Sequence, residues 1–451
     1  MLQKVLCKVN FRALGRVKAA EIARAASSFV FDLIRMDLRS LRSAISASFH
    51  ASPMQENLFY RALVLFVLLF AGGYGEEFPI MHEGRAKPYS IAGEPFSERL
   101  LVLPDRNGGD WHTLADLQKG LYNFTPYPDE VFYALKEAWG HRDEEAVKKL
   151  LAENAFSSVK GRLKAERLLY EYPWKVAAIG FYVASACSFL FLWRRLGMGF
   201  FGVAFALHTV MLVLRCYILE RPPVSNMQET LIYVPWIASL LALFWVIRYK
   251  ETLPGLVGTI LASTLLLMPF NEGLDKVQPV LNSPFWLTVH VMMIVASYGV
   301  FIMSGLFAHI YVFTRNAKAF SFILPAMYIG VSLLIPGTIL GGVWALESWG
   351  RFWDWDPKES WAFISAAVYI VVIHAWRYGK IDQLGVAIGS IVGMVAISFT
   401  WYGVNYILGT GLHSYGFGQG GELFYWIFLG LETTIICMSL ITSNLKRNTP
   451  L

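Results

Sequence analysis

Ten stretches of this 451-residue chain are apolar for about the length a helix needs to cross a bilayer. They lie near 59–75, 174–193, 198–219, 230–248, 254–270, 285–314, 320–343, 361–377, 384–408 and 422–443. Roughly 20 apolar residues span a hydrocarbon core, where no water satisfies the backbone, so such runs are confined to helices. The chain is 55% hydrophobic and 16% charged, whereas soluble domains are about a quarter charged. The expected fold is an all-α polytopic membrane protein of about ten transmembrane helices, with a small, mainly helical extramembrane domain on the outer side.

Charge orders the chain along its length. Residues 1–57 hold nine Lys/Arg against four acids and form a basic cytoplasmic segment, with FVFDLIRMDLRSLRSAI patterned as an amphipathic surface helix. Residues 58–75 are the first transmembrane helix, 76–172 a polar outer-side domain, and 173–445 a nine-helix membrane domain. WRRLG, IRYKE, TRNAKAF, WRYGK and the tail SNLKRN fall on one side if the chain alternates, and each carries at least two Lys/Arg. That side is cytoplasmic by the positive-inside rule, and both termini lie there. The formal net charge of +6 is therefore a matter of topology, and no nucleic-acid partner is expected. Four scattered cysteines (Cys7, Cys187, Cys216 and Cys437) form no CxxC or CxxCH, which excludes a disulfide framework, a thioredoxin-type redox pair and a self-attached c-type haem. The N-terminus lacks a compact apolar core with a cleavage site, so no signal peptide is expected.

On the outer side the chain places WGRFWDWDPKESW, with Trp349, Trp353, Trp355 and Trp361 among thirteen residues. Interfacial tryptophans are ordinarily anchors. A cluster alternating with Asp354 and Asp356 and followed by Lys358 and Glu359 better suits a large planar ligand with apolar faces and a polar rim, such as a porphyrin. His290 lies about five residues inside the outer end of its span, and His413 in the outer loop GLHSYGFG. Two imidazoles facing across a macrocycle make a bis-histidine iron site. Ionisable residues within a bilayer are functional candidates by default. His374, about 5 Å of helix rise from Arg377, is the firm member of a possible deeper pair. His208 stands ahead of His309 as its partner, the competing role for each being to cap a neighbouring carbonyl.

WGRFWDWDPKESWAF resembles the WWD signature of the haem-handling proteins of cytochrome c biogenesis, the group of CcsA/ResC, CcmC and CcmF. RPPVSNMQETLIY resembles the PxSNxYES element, with Gln228 in place of Tyr. HVMMIVASYG and WYGVNYILGTGLHSYGFG resemble two further segments, in family order over roughly residues 200–420, that single out the CcsA/ResC branch. The resemblance implies a system II cytochrome c synthase subunit in a bacterial inner membrane, presenting haem b at the WWD loop for thioether attachment to apocytochrome c CxxCH. It implies His290 and His413 as outer axial ligands, His374 as an intramembrane ligand, and His208 or a partner's histidine as the fourth. Trp349, Trp353, Trp355, Trp361, Asp354, Asp356 and Lys358 would surround the haem, with Lys358 the propionate partner by charge. The implied partners are a CcsB/ResB-type membrane protein, the apocytochrome and a thiol reductant of the thioredoxin-like class. Two readings from other classes stand beside it. One is a secondary transporter, for which LLIPGTILGGVW resembles a broken helix; the other is an assembly scaffold gripped by the tryptophan loop.

Overall fold

The computed structural model describes residues 79–82, 85–88, 102–104, 111–113, scattered positions between 133 and 150, and 157–268, 283–409 and 422–448. The basic N-terminal segment, the run at 58–75 and His413 lie outside the described residues. The described residues all belong to one compact unit, Glu77–Leu451.

Two short antiparallel hairpins come first: β1 (Pro79–His82) with β2 (Arg85–Pro88), and β3 (Val102–Pro104) with β4 (Trp111–Thr113). The polar stretch is thus not wholly helical, whereas every described element after β4 is a helix. Helix α1 (Ser157–Glu171) packs on α3 (Arg194–Leu219), and Arg162 meets Glu220 at 2.9 Å. A 50° bend separates α1 from α2 (Trp174–Leu190). Pro173 sits at the bend, where it lacks an N–H and bars the preceding residue from helical geometry. The Trp174 indole N–H donates to the Leu168 carbonyl at 2.8 Å across it.

The remaining helices are α4 (Met227–Tyr249), α5 (Leu253–Leu267), α6 (Pro284–Thr314), α7 (Ala317–Trp349), α8 (Pro357–Arg377), α9 (Gln383–Leu408) and α10 (Glu422–Asn448). Each of α4, α7, α8 and α9 starts on an Asn or Asp whose side chain accepts a first-turn N–H (Asn226, Asn316, Asp356, Asp382). Among the described residues seven helices are long and apolar enough to cross a membrane, and an eighth if the bent α1–α2 pair counts as one. The chain is a multi-pass membrane protein. α5 has 15 residues, shorter than a full span. α7 runs unbroken for 33 residues despite Pro325 and Pro336, so LLIPGTILGGVW is not an interrupted helix.

α6 is the axis of the bundle, packed by α4, α7 and α9, with α2 and α3 joined through α5 on one flank and α8 on the other. Lipid supplies no hydrophobic drive between helices, so their association depends on close packing. Gly299 provides it between α6 and α4: a Cβ there would stand 2.7 Å from the Val234 carbonyl oxygen. Phe301 stacks on Tyr369 at 3.8 Å between centroids, joining α6 to α8. At one end of the bundle Lys318 reaches Glu251 at 2.9 Å, and the Tyr311 hydroxyl donates to Gln383 at 2.8 Å. This end gathers the connections bearing Arg248, Lys250, Arg315, Lys318, Arg377 and Lys380. The α3–α4 and α7–α8 loops, the start of α6 and the end of α9 meet at the other.

Candidate functional site

A cavity of about 170 Å³ opens at that second end, and five separate segments build it. The α3–α4 loop contributes Ser225 and Asn226, α6 His290, α7 Gly341 and Trp344, the α7–α8 loop Trp353 with Lys358 behind it, and α9 Trp401 and Asn405. Two of these segments leave α-helical geometry where they meet the cavity. Leu287–Val291 in α6 and Phe399–Leu408 in α9 are wound as π-helix, a rare form with i→i+5 bonding that is frequent at functional sites.

His290 lies on the first π segment. Its Nδ1 donates to the Gly337 carbonyl at 2.7 Å, which puts the lone pair on Nε2, the arrangement found where imidazole binds a metal. The ring stands edge-on to Trp344, 5.9 Å between centroids. Gly341 makes room for it, since a Cβ there would lie 2.5 Å from the imidazole Cε1.

The tryptophan loop is held by a capping box. Asp356 caps α8 and accepts the Lys358 N–H at 3.0 Å, while the Glu359 carboxylate accepts the N–H groups of Asp354 and Asp356 at 3.0 and 3.3 Å. Asp354 pairs with Arg351 at 2.7 Å on the surface. Trp355, at a φ of +56° unusual for a bulky residue, is 71% exposed and stands edge-on to Trp353. Of the four tryptophans expected at the ligand, Trp353 alone lines the cavity. Trp349 closes α7, and Trp361 packs on Phe399 at 4.2 Å between centroids. Lys358 turns its ammonium onto the π-helical stretch of α9, donating to the Thr400 and Trp401 carbonyls at 2.7 and 3.1 Å.

Behind the α3–α4 loop lies a buried charge cluster. Glu229 faces Arg215 at 3.5 Å and Arg221 at 3.4 Å, and accepts from both the Ser225 N–H (2.8 Å) and its hydroxyl (2.7 Å). The cavity wall is thereby pinned to a carboxylate with no exposure to solvent. Gln228 falls on the far side of α4, beside Lys175 and Leu265, so the position where Gln replaces the family's Tyr does not touch the cavity.

The other histidines separate. His208 is fully buried, its Nε2 donating to the Ile232 carbonyl at 2.8 Å and its Nδ1 accepting from the Tyr182 hydroxyl at 3.1 Å. Both ring nitrogens are engaged, which is the carbonyl-capping role weighed against a ligand role. His309 bonds Gly305 and, through Nε2, Glu432 at 2.9 Å. His374 is exposed on α8, donating from Nδ1 to the Ile370 carbonyl at 2.8 Å, so its Nε2 lone pair is directed away from that helix's own backbone.

Residues 175–413, just over half of the chain, match the model of the family described as cytochrome C assembly protein. The chain belongs to this family. It is 35% identical over 237 residues to the protein NrfI of Wolinella succinogenes, covering 48% of this chain and 26% of NrfI. It is 30% identical over 240 residues to the cytochrome c biogenesis protein CcsA of Chlamydomonas reinhardtii (48% of this chain, 67% of that protein). To the CcsA of Synechococcus sp. (strain CC9605) it is 28% identical over 260 residues, covering 84% of that protein. The chain thus spans about a quarter of NrfI's length and two thirds or more of the two CcsA proteins.

Of the cavity residues, the motifs pointed to His290, Trp353 and Lys358 but not to Trp344, Trp401, Asn405 or Ser225. Trp401 and Asn405 stand in WYGVN, ahead of the histidine in the same segment. Ser225 and Asn226 stand in the quoted PVSN. Trp344 carried only the signal of an aromatic beside paired glycines in LGGVW.

Proposed function

We propose that the chain is the haem-handling membrane subunit of a cytochrome c synthase. In this reading it binds iron protoporphyrin IX (haem b) at the cavity and presents it on the outer face of a bacterial inner membrane to apocytochrome c. The observation that carries it is His290: an imidazole with its Nδ1 proton fixed on Gly337 and Trp344 at its edge, at the mouth formed by the tryptophan loop. Trp344, Trp353 and Trp401 supply flat apolar walls for a planar ligand inserted edge first. His413 is the proposed second axial ligand, from the outer loop that follows α9.

The chain's part in the reaction is to hold and orient. Each thioether forms when an apocytochrome thiol adds across a vinyl group; sulfur bonds one vinyl carbon, the proton goes to the other, and no electrons are exchanged with a third party. Fixing both reactants supplies effective concentration, and the thiols must stay reduced, which is the place of a thioredoxin-like reductant. His374, exposed on α8, is the proposed ligand of a second haem shared with a CcsB/ResB-type partner. The engaged nitrogens of His208 leave the fourth ligand to that partner.

The test is the absorption spectrum of protein purified with its membrane partner from haem-replete cells. A Soret band that is lost in His290→Ala combined with His413→Ala supports the proposal. A colourless wild-type protein overturns it and favours a transporter or a scaffold.

A further inference from the structure

The polar groups of the cavity are unevenly divided between donors and acceptors. Lys358 spends two ammonium protons on the Thr400 and Trp401 carbonyls, and its third N–H has no partner among the described residues. In the i→i+5 pattern of this stretch, Asn405 follows Thr400 by one turn, and it lines the same cavity as Lys358. The Asn405 amide makes no hydrogen bond among the described residues, and its Oδ1 is shut off from solvent without a donor. A half-turn about χ2 exchanges the two ends of an amide, so either way the side chain brings N–H donors and an enclosed end that lacks its partner. The single carboxylate lining the cavity is that of Glu359, already committed to the backbone of Asp354 and Asp356. Among the described residues the cavity therefore offers an amine and amide donors, with Glu359 turned to the backbone and the buried Asp356, which caps α8, the one carboxylate acting on Lys358.

We infer that Asn405, together with Lys358, binds a carboxylate of the incoming ligand. This rests on the cavity taking haem, and it fixes which edge of the porphyrin goes in. The propionate edge is held at α9, and the opposite edge, which carries the vinyl groups, is left outside where apocytochrome thiols arrive. Asn405 is the orientation-determining residue, because Lys358 is a point charge whereas the amide supplies a directed N–H.

The experiment is a spectral titration of the full chain in detergent with two probes, iron protoporphyrin IX and its dimethyl ester, which carries no anionic propionate. The wild type is expected to bind the diacid about tenfold or more tighter than the ester, as hydrogen bonds to a charged group imply. Asn405→Leu and Lys358→Met should each shrink that ratio, and the double variant should bring it near one. Asn405→Asp, of nearly the same shape, should reverse the preference in favour of the ester, a change that a purely structural role would not produce. It also serves if Asn405→Leu does not fold. A wild type that does not discriminate, or an Asn405→Asp that still prefers the diacid, overturns the inference while leaving haem binding intact. A wild type that binds neither porphyrin overturns the parent reading and this inference together.

Discussion

The Nδ1 of His290 lies 2.7 Å from the carbonyl oxygen of Gly337, 47 residues further along the chain. One hydrogen bond thus joins two helices, sets the tautomer of the imidazole and aims the ring at the cavity. Gly341, one turn beyond Gly337 on α7, is the space the ring occupies. The imidazole is positioned by the neighbouring helix as much as by its own.

Gly341→Ala should therefore displace the imidazole, because its methyl would stand 2.5 Å from Cε1. Haem content, read from the Soret band, should fall as far as in His290→Ala. Added free imidazole should restore absorbance in His290→Ala, where the ring's volume is vacated, and restore less in Gly341→Ala, where the displaced side chain still competes. Equal rescue in both would show that the Gly341 contact does not govern the ring.

Glu229→Gln removes the one carboxylate between Arg215 and Arg221. Breaking such a buried cluster on one side costs about 3–5 kcal/mol. A large drop in thermal melting in detergent is expected, and the α3–α4 loop at Ser225 should become more open to protease. A variant that melts as the wild type does would rule out the cluster as the anchor of this wall.

Asp356→Ala removes the α8 cap and loosens the tryptophan loop, a loss of about 1 kcal/mol. Asp356→Asn, which can still accept the N–H groups, should cost only a fraction of that. Asp356→Ala should melt at a lower temperature than Asp356→Asn and retain less haem, and the reverse order would rule out the cap as what holds the loop.

His309 and Glu432 join α6 to α10 across 123 residues of sequence, and α10 otherwise makes few contacts with the bundle. His309→Leu and Glu432→Leu should each destabilise by roughly 1–3 kcal/mol, since each strands a polar partner. The double variant should cost less than the sum of the two, a coupling that a thermal double-mutant cycle detects.

His208→Ala should lower the melting temperature, because it leaves the Tyr182 hydroxyl and the Ile232 carbonyl without their partner. The haem spectrum should be unchanged. His374→Ala should do the reverse, lowering haem content in protein purified with its membrane partner with little effect on stability. Loss of haem in His208→Ala at unchanged stability would return that residue to the set of ligands.

Sequence by itself determined that this chain is a bundle of membrane helices, where the basic connections fall, and that the WWD, PVSN, HVMMIVASYG and WYGVN segments mark one end. It could do so because a bilayer admits few backbone solutions and span length is written directly in the apolar runs. Tertiary structure alone decided which residues of those segments share the cavity. Trp353 faces inward while Trp355 does not, because Trp355 is itself left-handed and the capping box fixes the residues just after it. Two π-helical stretches re-aim His290 and Asn405, and a π turn rests on packing against neighbouring helices that no local periodicity records. His208 and His374 read alike as intramembrane histidines, and only their hydrogen-bond partners told them apart, since a partner 24 residues away or an exposed helix face is fixed by how the helices meet.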